Sequence, residues 1–523
     1  MKRKKLILNA LILTFATMSL GFISTGFRVY LSNKIGAEGM GLYQIVMSIN
    51  FMASTFAISG IRVTTTRLVA EELGKGNTHN IAGIVRKGLL YSLLFSTITA
   101  IILYNYSEFI GTSLIKDTRS ILPLKILSCG LPFTAFCSCI SGYFYGARRV
   151  IKTITADILE TFVMMSIIAI PLSAFLPKGL ELTCCLISVA MSCGNIVAAI
   201  YSYLLYIFER KPISKKIGAT KSKFSFFNIA YIAIPVACSA YIQTGLKTVE
   251  DILIPNALRQ FGSSNSTSLA IFGMIKGMVL PILSFPSIFL ASFSTLIIPE
   301  IAEANALHKN KLVIYIISKV FKFTLIIAMF ASGLFIIFSN ELGMALYNDP
   351  QVGVLMRILS PLIPLMYLDR VVDGSLNALN QQMSTLKYNL MDMSVRLTII
   401  LFLIPQKGIE GFIIVLFAST ILNSTLSINK LLKVTNLNFQ LIDWFLKPGI
   451  SIALSCLIVK YTFRLLNLSL LIPIQIVGVI ILYLAFLVIF KCITKKDIMW
   501  FVDGFRHEVK TIEWDNISIY KNL

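Results

Sequence analysis

Long apolar runs broken by short polar segments set the pattern of this chain, and each run reaches the length a helix needs to cross a lipid core, about 20 residues. Fourteen are predicted, over 6–27, 43–61, 88–105, 121–143, 154–176, 182–208, 228–249, 269–298, 314–338, 352–378, 388–405, 410–430, 446–466 and 471–490. In lipid every backbone N–H and C=O must be paired within its own segment or a closed barrel, so runs this long mean helices. The expected fold class is an all-α integral membrane protein with 14 transmembrane helices.

An internal repeat organises these runs. Sliding the sequence against itself by 232 residues superposes runs one to four on runs seven to ten without gaps. Gly41 then meets Gly273, Ala70-Glu71 meets Ala302-Glu303, Lys125 meets Arg357, Pro132 meets Pro364 and Gly142 meets Gly374. The offset slips by about one helical turn in the fifth and sixth runs, where 176–181 faces 404–410. Two six-helix bundles follow, over 1–223 and 224–440, with two extra helices over 441–490 and a tail over 491–523. Six is even, so both copies enter the membrane from the same side and are related by an axis along its normal. That arrangement suits alternating access by rocking bundles; a duplicated scaffold without transport is the plainer alternative.

Composition sharpens the picture. At 56% hydrophobic and 14% charged residues, with a mean hydropathy of +0.79, the chain is too apolar for a soluble protein of 523 residues. Its 47 Lys and Arg against 25 Asp and Glu leave a net charge of +22. The excess sits in segments between runs rather than along one stripe, so no nucleic-acid partner is expected. Placing the N-terminus in the cytoplasm puts most of the basic residues inside: Lys2–Lys5, Arg62 to Lys87, Arg148, Arg149 and Lys152, Arg210 to Lys223, Lys309 and Lys311, Lys430, Lys433 and Lys447, and the tail from Lys491. Both termini are then cytoplasmic. The first run is too long for a secretory signal and reads as a retained helix. Nine scattered cysteines and three distant histidines have no metal-site spacing. No ATP-binding loop or catalytic motif is present either, so neither an enzyme nor a metal site is expected. The only cofactor envisaged is a coupling monovalent cation, with the membrane potential as the other energy source.

Charges inside membrane helices are costly and mark function by default. The candidates are Arg28 past the first run, Arg62 at the inner end of the second, Lys247, Glu250 and Asp251 at the outer end of the seventh, Lys276 in the eighth, and Asp369, Arg370 and Asp373 in the tenth. Two readings of them stay open. Arg28, Arg62, Lys276 and Arg370 converge on the cleft as an anion-binding patch suited to phosphate. Alternatively, Arg370 is neutralised by Asp373 one turn away, and Arg28 and Arg62 snorkel to the headgroups. Asn389 and Asp392 offer oxygen ligands for a coupling cation, or else serve interface electrostatics together with their repeat mates Asp157 and Glu160. Pro132, Pro235, Pro281, Pro286, Pro361 and Pro364 are either hinges or ordinary kinks.

The segment Gly36-Ala-Glu-Gly-Met-Gly-Leu-Tyr-Gln44, followed by Leu68-Val-Ala-Glu-Glu72, resembles the stage V sporulation protein B group of the multidrug/oligosaccharidyl-lipid/polysaccharide exporter superfamily. The likeness extends over essentially the whole chain, because six plus six plus two helices is also the organisation of the related lipid II flippases. It implies a flippase for undecaprenyl-pyrophosphate-linked oligosaccharide or peptidoglycan precursors in the cytoplasmic membrane, serving spore cortex or cell-wall synthesis. The implied partners are the lipid-linked sugar, membrane lipids and cell-wall synthases. Lipid II flippases hold the diphosphate with arginines on the first, second and eighth helices, regions where this chain has Arg28, Arg62 and Lys276. Sodium-binding relatives carry an acid in the seventh helix, whereas 230–243 has none. The rival readings are a cation-coupled multidrug exporter, disfavoured by the basic candidates, and a membrane glycosyltransferase, disfavoured by the lack of a large external loop.

Overall fold

A computed structural model describes residues 2–214, 226–465, 472–494 and 497, and all regular structure among them is helical. The chain runs through α1 (Lys2–Ile58), α2 (Ile61–Gly74), α3 (Thr78–Phe109), α4 (Ile121–Gly146), α5 (Val150–Ala169), α6 (Leu180–Ser214) and α7 (Phe226–Gln260). It continues with α8 (Asn265–Ser284), α9 (Ser287–Ala306), α10 (Asn310–Ile337), α11 (Pro350–Ala378), α12 (Gln382–Lys407), α13 (Ile409–Thr435), α14 (Ile442–Leu465) and α15 (Ile472–Ile489).

Among the described residues, twelve helical stretches are long and apolar enough to cross a membrane, or 13 if α5 and the short helix after it, bent by 46°, form one span. The expected runs 6–27 and 43–61 both fall within Lys2–Ile58, as two helices that meet at a kink rather than across a loop. Gly36 lies at the kink, with φ 71° and ψ −180°, a backbone region only glycine occupies freely. Arg28, eight residues before Gly36, and Gln44, eight after it, line the same cavity. A straight helix would hold them about 24 Å apart. The chain therefore folds back at Gly36, and α1 is a helical hairpin.

The 232-residue offset reappears in the backbone. Gly76 and His308, Lys116 and Asn348, and Arg148 and Asn380 are mates at that offset, and all six have positive φ. Asp117 accepts from Arg119 N at 3.0 Å, and its mate Asp349 accepts from Gln351 N at 2.8 Å, so one cap starts the next helix in both copies. Gly41 and Gly273 lie in contact. A Cβ on Gly41 would come 2.0 Å from the carbonyl of Leu269, and one on Gly273 would come 2.0 Å from the carbonyl of Ala37, the mate of Leu269. Such a reciprocal contact marks the two-fold axis relating the copies.

Close approach at Gly273 coincides with a wide turn. Residues Gly273–Val279 form a π-helix inside α8, just before Pro281, whose missing N–H leaves the Gly277 carbonyl without its usual partner. Pro286 stands where α8 gives way to α9, and Pro361 lies in a 3-10 turn within α11, whereas Pro132 and Pro235 sit inside unbroken α4 and α7.

Met40, Ile275, Phe321, Met356 and Phe412 belong to one large buried cluster centred on α1, α8, α10, α11 and α13. A smaller one joins Ile61, Ile84, Tyr91, Ile140 and Phe144 of α2, α3 and α4. Large apolar side chains such as Phe15, Phe162, Ile170 and Tyr231 stand 69–84% exposed around the outside, as a lipid-facing surface requires. The expected bundle boundary at 223–224 and most of the tail 491–523 lie outside the described residues. Asp497 is described: it is buried and holds both Lys319 and Lys322 of α10, the latter at 2.7 Å.

Candidate functional site

A cavity of about 510 Å³ opens between the α1 hairpin, α7, α8 and α12. Ser24, Thr25, Arg28 and Gln44 reach it from α1, Lys247 and Asp251 from α7, Lys276, Pro281 and Ser284 from α8, and Arg396 from α12. Gln44 and Lys276 are repeat mates, so the cavity straddles the axis marked by Gly41 and Gly273. The π-turn carries Lys276 at its centre and directs it to the wall.

Behind this lining lies a chain of buried ion pairs. Lys276 Nζ sits 2.8 Å from Glu250 Oε1 and 3.2 Å from Asp251 Oδ1. Arg396 reaches Glu250 Oε2 at 3.1 Å and Asp392 Oδ2 at 2.7 Å. Ser48 donates to Asp251 Oδ2 at 2.7 Å, and Ser419 donates to Asp392 Oδ1 at 2.7 Å. The three acid side chains are 2–4% exposed, against 13% for Lys276 and 23% for Arg396; Glu250 and Asp392 lie behind these cations, while Asp251 also reaches the cavity. Burial of this kind is tolerable only because each charge is paired and hydrogen-bonded. Arg28 and Lys247 make no ion pair among the described residues. With them the site presents four cations against three carboxylates, a net positive charge that suits an anion.

Of the four cations expected to converge, only Arg28 and Lys276 do so. Arg62 lies over the Tyr145 ring, 4.9 Å from its centroid, with Gly142 packed against its backbone. Arg370 donates to Ser287 Oγ at 2.9 Å. It makes no ion pair with Asp369 or Asp373 among the described residues, so the self-neutralised cluster is corrected too. Asp369 accepts instead from Asn423 at 2.9 Å, and Asn389 faces Asp373. Asn389 and Asp392 do not combine as a cation site, because both oxygens of Asp392 are engaged by Arg396 and Ser419. Lys247, Glu250 and Asp251 stand well inside α7, which runs on to Gln260, rather than at its outer end.

Arg396 escaped the sequence reading. Its signal was present: a cation inside an apolar run, four residues after Asp392 on one helix face.

A second polar group clasps the two copies together beyond the Gly36 turn. Arg119 pairs with Asp117 at 2.7 Å and Glu38 at 2.8 Å. Asp117 also accepts from Asn265 at 3.0 Å, and Ser266 donates to Glu38 at 2.7 Å. Arg259 donates to the Ile115 carbonyl at 2.6 Å. Burial opposes ionisation of Asp117, but the hydrogen bonds and charge of Arg119 outweigh it and hold the carboxyl below its usual range. An apolar cavity of about 380 Å³ lies elsewhere, between Leu365 and Leu368 of α11, Ile428 and Leu432 of α13, and Phe439 and Phe445.

Residues 6–256 match the model of a family described as "Polysaccharide biosynthesis protein". The chain is 23% identical over 435 residues to stage V sporulation protein B of Bacillus subtilis (strain 168), covering 82% of this chain and 83% of that one. Among solved structures it resembles lipid II flippase MurJ in an inward closed conformation, with a TM-score of 0.64, 16% identity, and 92% and 98% of the two chains covered. It also resembles an inward-facing multidrug resistance MATE family transporter of the MOP superfamily, with a TM-score of 0.60, 12% identity, and 83% and 100% covered. These likenesses fit the helical architecture and the lipid-facing surface of a multi-pass cell-membrane protein. The chain is similar to stage V sporulation protein B along most of its length and to the polysaccharide biosynthesis family over its first half, and it shares the fold of these solved flippase and transporter structures.

Proposed function

We propose that the protein is a flippase for a pyrophosphate-linked lipid carrying a cell-wall saccharide, moved across the cytoplasmic membrane by alternating access. The observation that carries this reading is the axial cavity faced by Arg28, Lys247, Lys276 and Arg396. A diphosphate diester is a compact dianion, and guanidinium and ammonium groups bind it by charge-assisted hydrogen bonds strengthened by exclusion of water. Repeat halves over 1–223 and 224–440 pivot about the cavity, and both termini lie in the cytoplasm. The apolar cavity beside α11 and α13 suits a polyprenyl tail. Arg62, although set apart, lies on α2 and comes into play only if the halves move. The likeness to stage V sporulation protein B supports a role in building spore cortex or wall, alongside the synthases that consume the lipid.

A multidrug exporter of the same fold handles cationic drugs poorly with four cations in its cavity. Liposomes containing the protein and a fluorescent lipid-linked pyrophosphate saccharide separate these readings. Headgroup transfer without efflux of a cationic dye supports the flippase, and dye efflux without headgroup transfer refutes it.

A further inference from the structure

Resting on the anion-cavity reading, a further inference concerns Glu250. Among the acids at the cavity it alone bridges both committed cations, with Oε1 on Lys276 at 2.8 Å and Oε2 on Arg396 at 3.1 Å. Its two oxygens span the cations as two oxygens of a phosphate would. We propose that Glu250 is an internal stand-in for the phosphate, and that the arriving anion displaces it from Lys276 and Arg396 while Glu250 takes up a proton.

Charge balance in the wall drives the exchange. Three carboxylates, Glu250, Asp251 and Asp392, share two cations in the buried network. When a dianion draws Lys276 and Arg396 toward the cavity on their flexible stems, Asp251 keeps the hydroxyl of Ser48 and Asp392 keeps that of Ser419. Glu250 has no third partner among the described residues. A buried carboxylate stripped of its cations is neutralised rather than left charged. The groups facing it are Lys276 from α8, Arg396 and Asp392 from α12, Asp251 and Lys247 from α7 itself, and Arg28 across the cavity from α1. Two of these are the cations that leave, and two are acids whose charge favours its protonation. The proton comes from water, one for each anion bound, and no covalent bond changes. Anion and proton therefore bind together, and by reciprocity anion affinity rises as pH falls, by up to about tenfold per unit.

The test is calorimetric titration of the full-length, detergent-solubilised protein with UDP-N-acetylglucosamine, a soluble pyrophosphate diester that does not itself titrate between about pH 5.5 and 8. Repeating the titration in buffers of different ionisation heat counts the protons exchanged. Uptake approaching one proton per anion, abolished in Glu250→Gln together with an affinity gain of about tenfold, supports the exchange. Saturable binding by the wild-type protein with heat independent of buffer overturns it and leaves the anion cavity standing. No saturable binding removes the cavity reading itself, and the wild-type measurement decides between these outcomes even if the variant fails to fold.

Discussion

Gly273 packs against Gly41 so closely that a Cβ on Gly273 would lie 2.5 Å from Gly41 N. No side chain fits between the two copies at this point of the axis. Gly273→Ala is expected to destabilise the protein by about 1–3 kcal/mol, the cost of forcing apart well-packed backbone. Gly26→Ala has open space around its added methyl and should leave stability unchanged or raise it by up to about 1 kcal/mol, as alanine does in a helix. Thermal unfolding in detergent reads both.

Arg119 ties Glu38 and Asp117 into the clasp beside Cys184, which is 4% exposed and lies near both Arg119 and Asp117. Removing the guanidinium leaves two acids uncompensated at the seam between the copies. Arg119→Ala should open this end and raise modification of Cys184 by an impermeant maleimide several-fold, scored by mass spectrometry to distinguish it from the other cysteines. Unchanged Cys184 labelling would mean that other contacts hold the seam.

The pH dependence of the clasp has a definite sign. Asp117 is depressed below the ordinary aspartate value in the folded protein, so its contribution is fully present above about pH 4. It is lost as pH falls through the depressed value. Hydrogen exchange over 110–120, corrected for intrinsic rate, should be flat from about pH 7 to 5 and should accelerate only below about 4. Asp117→Asn should show the faster exchange at every pH.

Asp497 anchors the start of the tail by accepting from both Lys319 and Lys322. Asp497→Asn removes the charge from between two largely buried ammonium groups, and a loss of about 1–3 kcal/mol follows from leaving them unsatisfied. Lys319→Met with Asp497→Asn should recover part of that loss, as the coupling of a double-mutant cycle requires. Thermal unfolding of the wild type, both single variants and the double variant measures it.

The helices and the pairing of Gly41 with Gly273 at the 232-residue offset were legible in the chain, because lipid imposes a length on every run, whereas the contact between these two glycines was not. Lys276 and Arg28 were legible for the same reason: charge in an apolar run needs a wet wall. Arg62 and Arg370 broke the rule. One found an aromatic face and the other a hydroxyl, partners that depend on which helices meet and leave no trace in spacing. Asp392 misled in the opposite sense, since it resembles an ion ligand until Arg396, one turn along, is seen to occupy it. The hairpin at Gly36 was read as a loop between two helices because sequence does not reveal how few residues a glycine needs to reverse the chain.

Transfer of a fluorescent lipid-linked pyrophosphate saccharide across liposomes carrying Arg28→Gln tests the central claim most directly, since Arg28 faces the cavity and its loss strands no buried acid. The predicted result is a rate reduced at least about tenfold, the worth of one charge-assisted phosphate contact, beside an unimpaired Arg370→Gln control. Transfer by Arg28→Gln at the wild-type rate would contradict a phosphate held in this cavity.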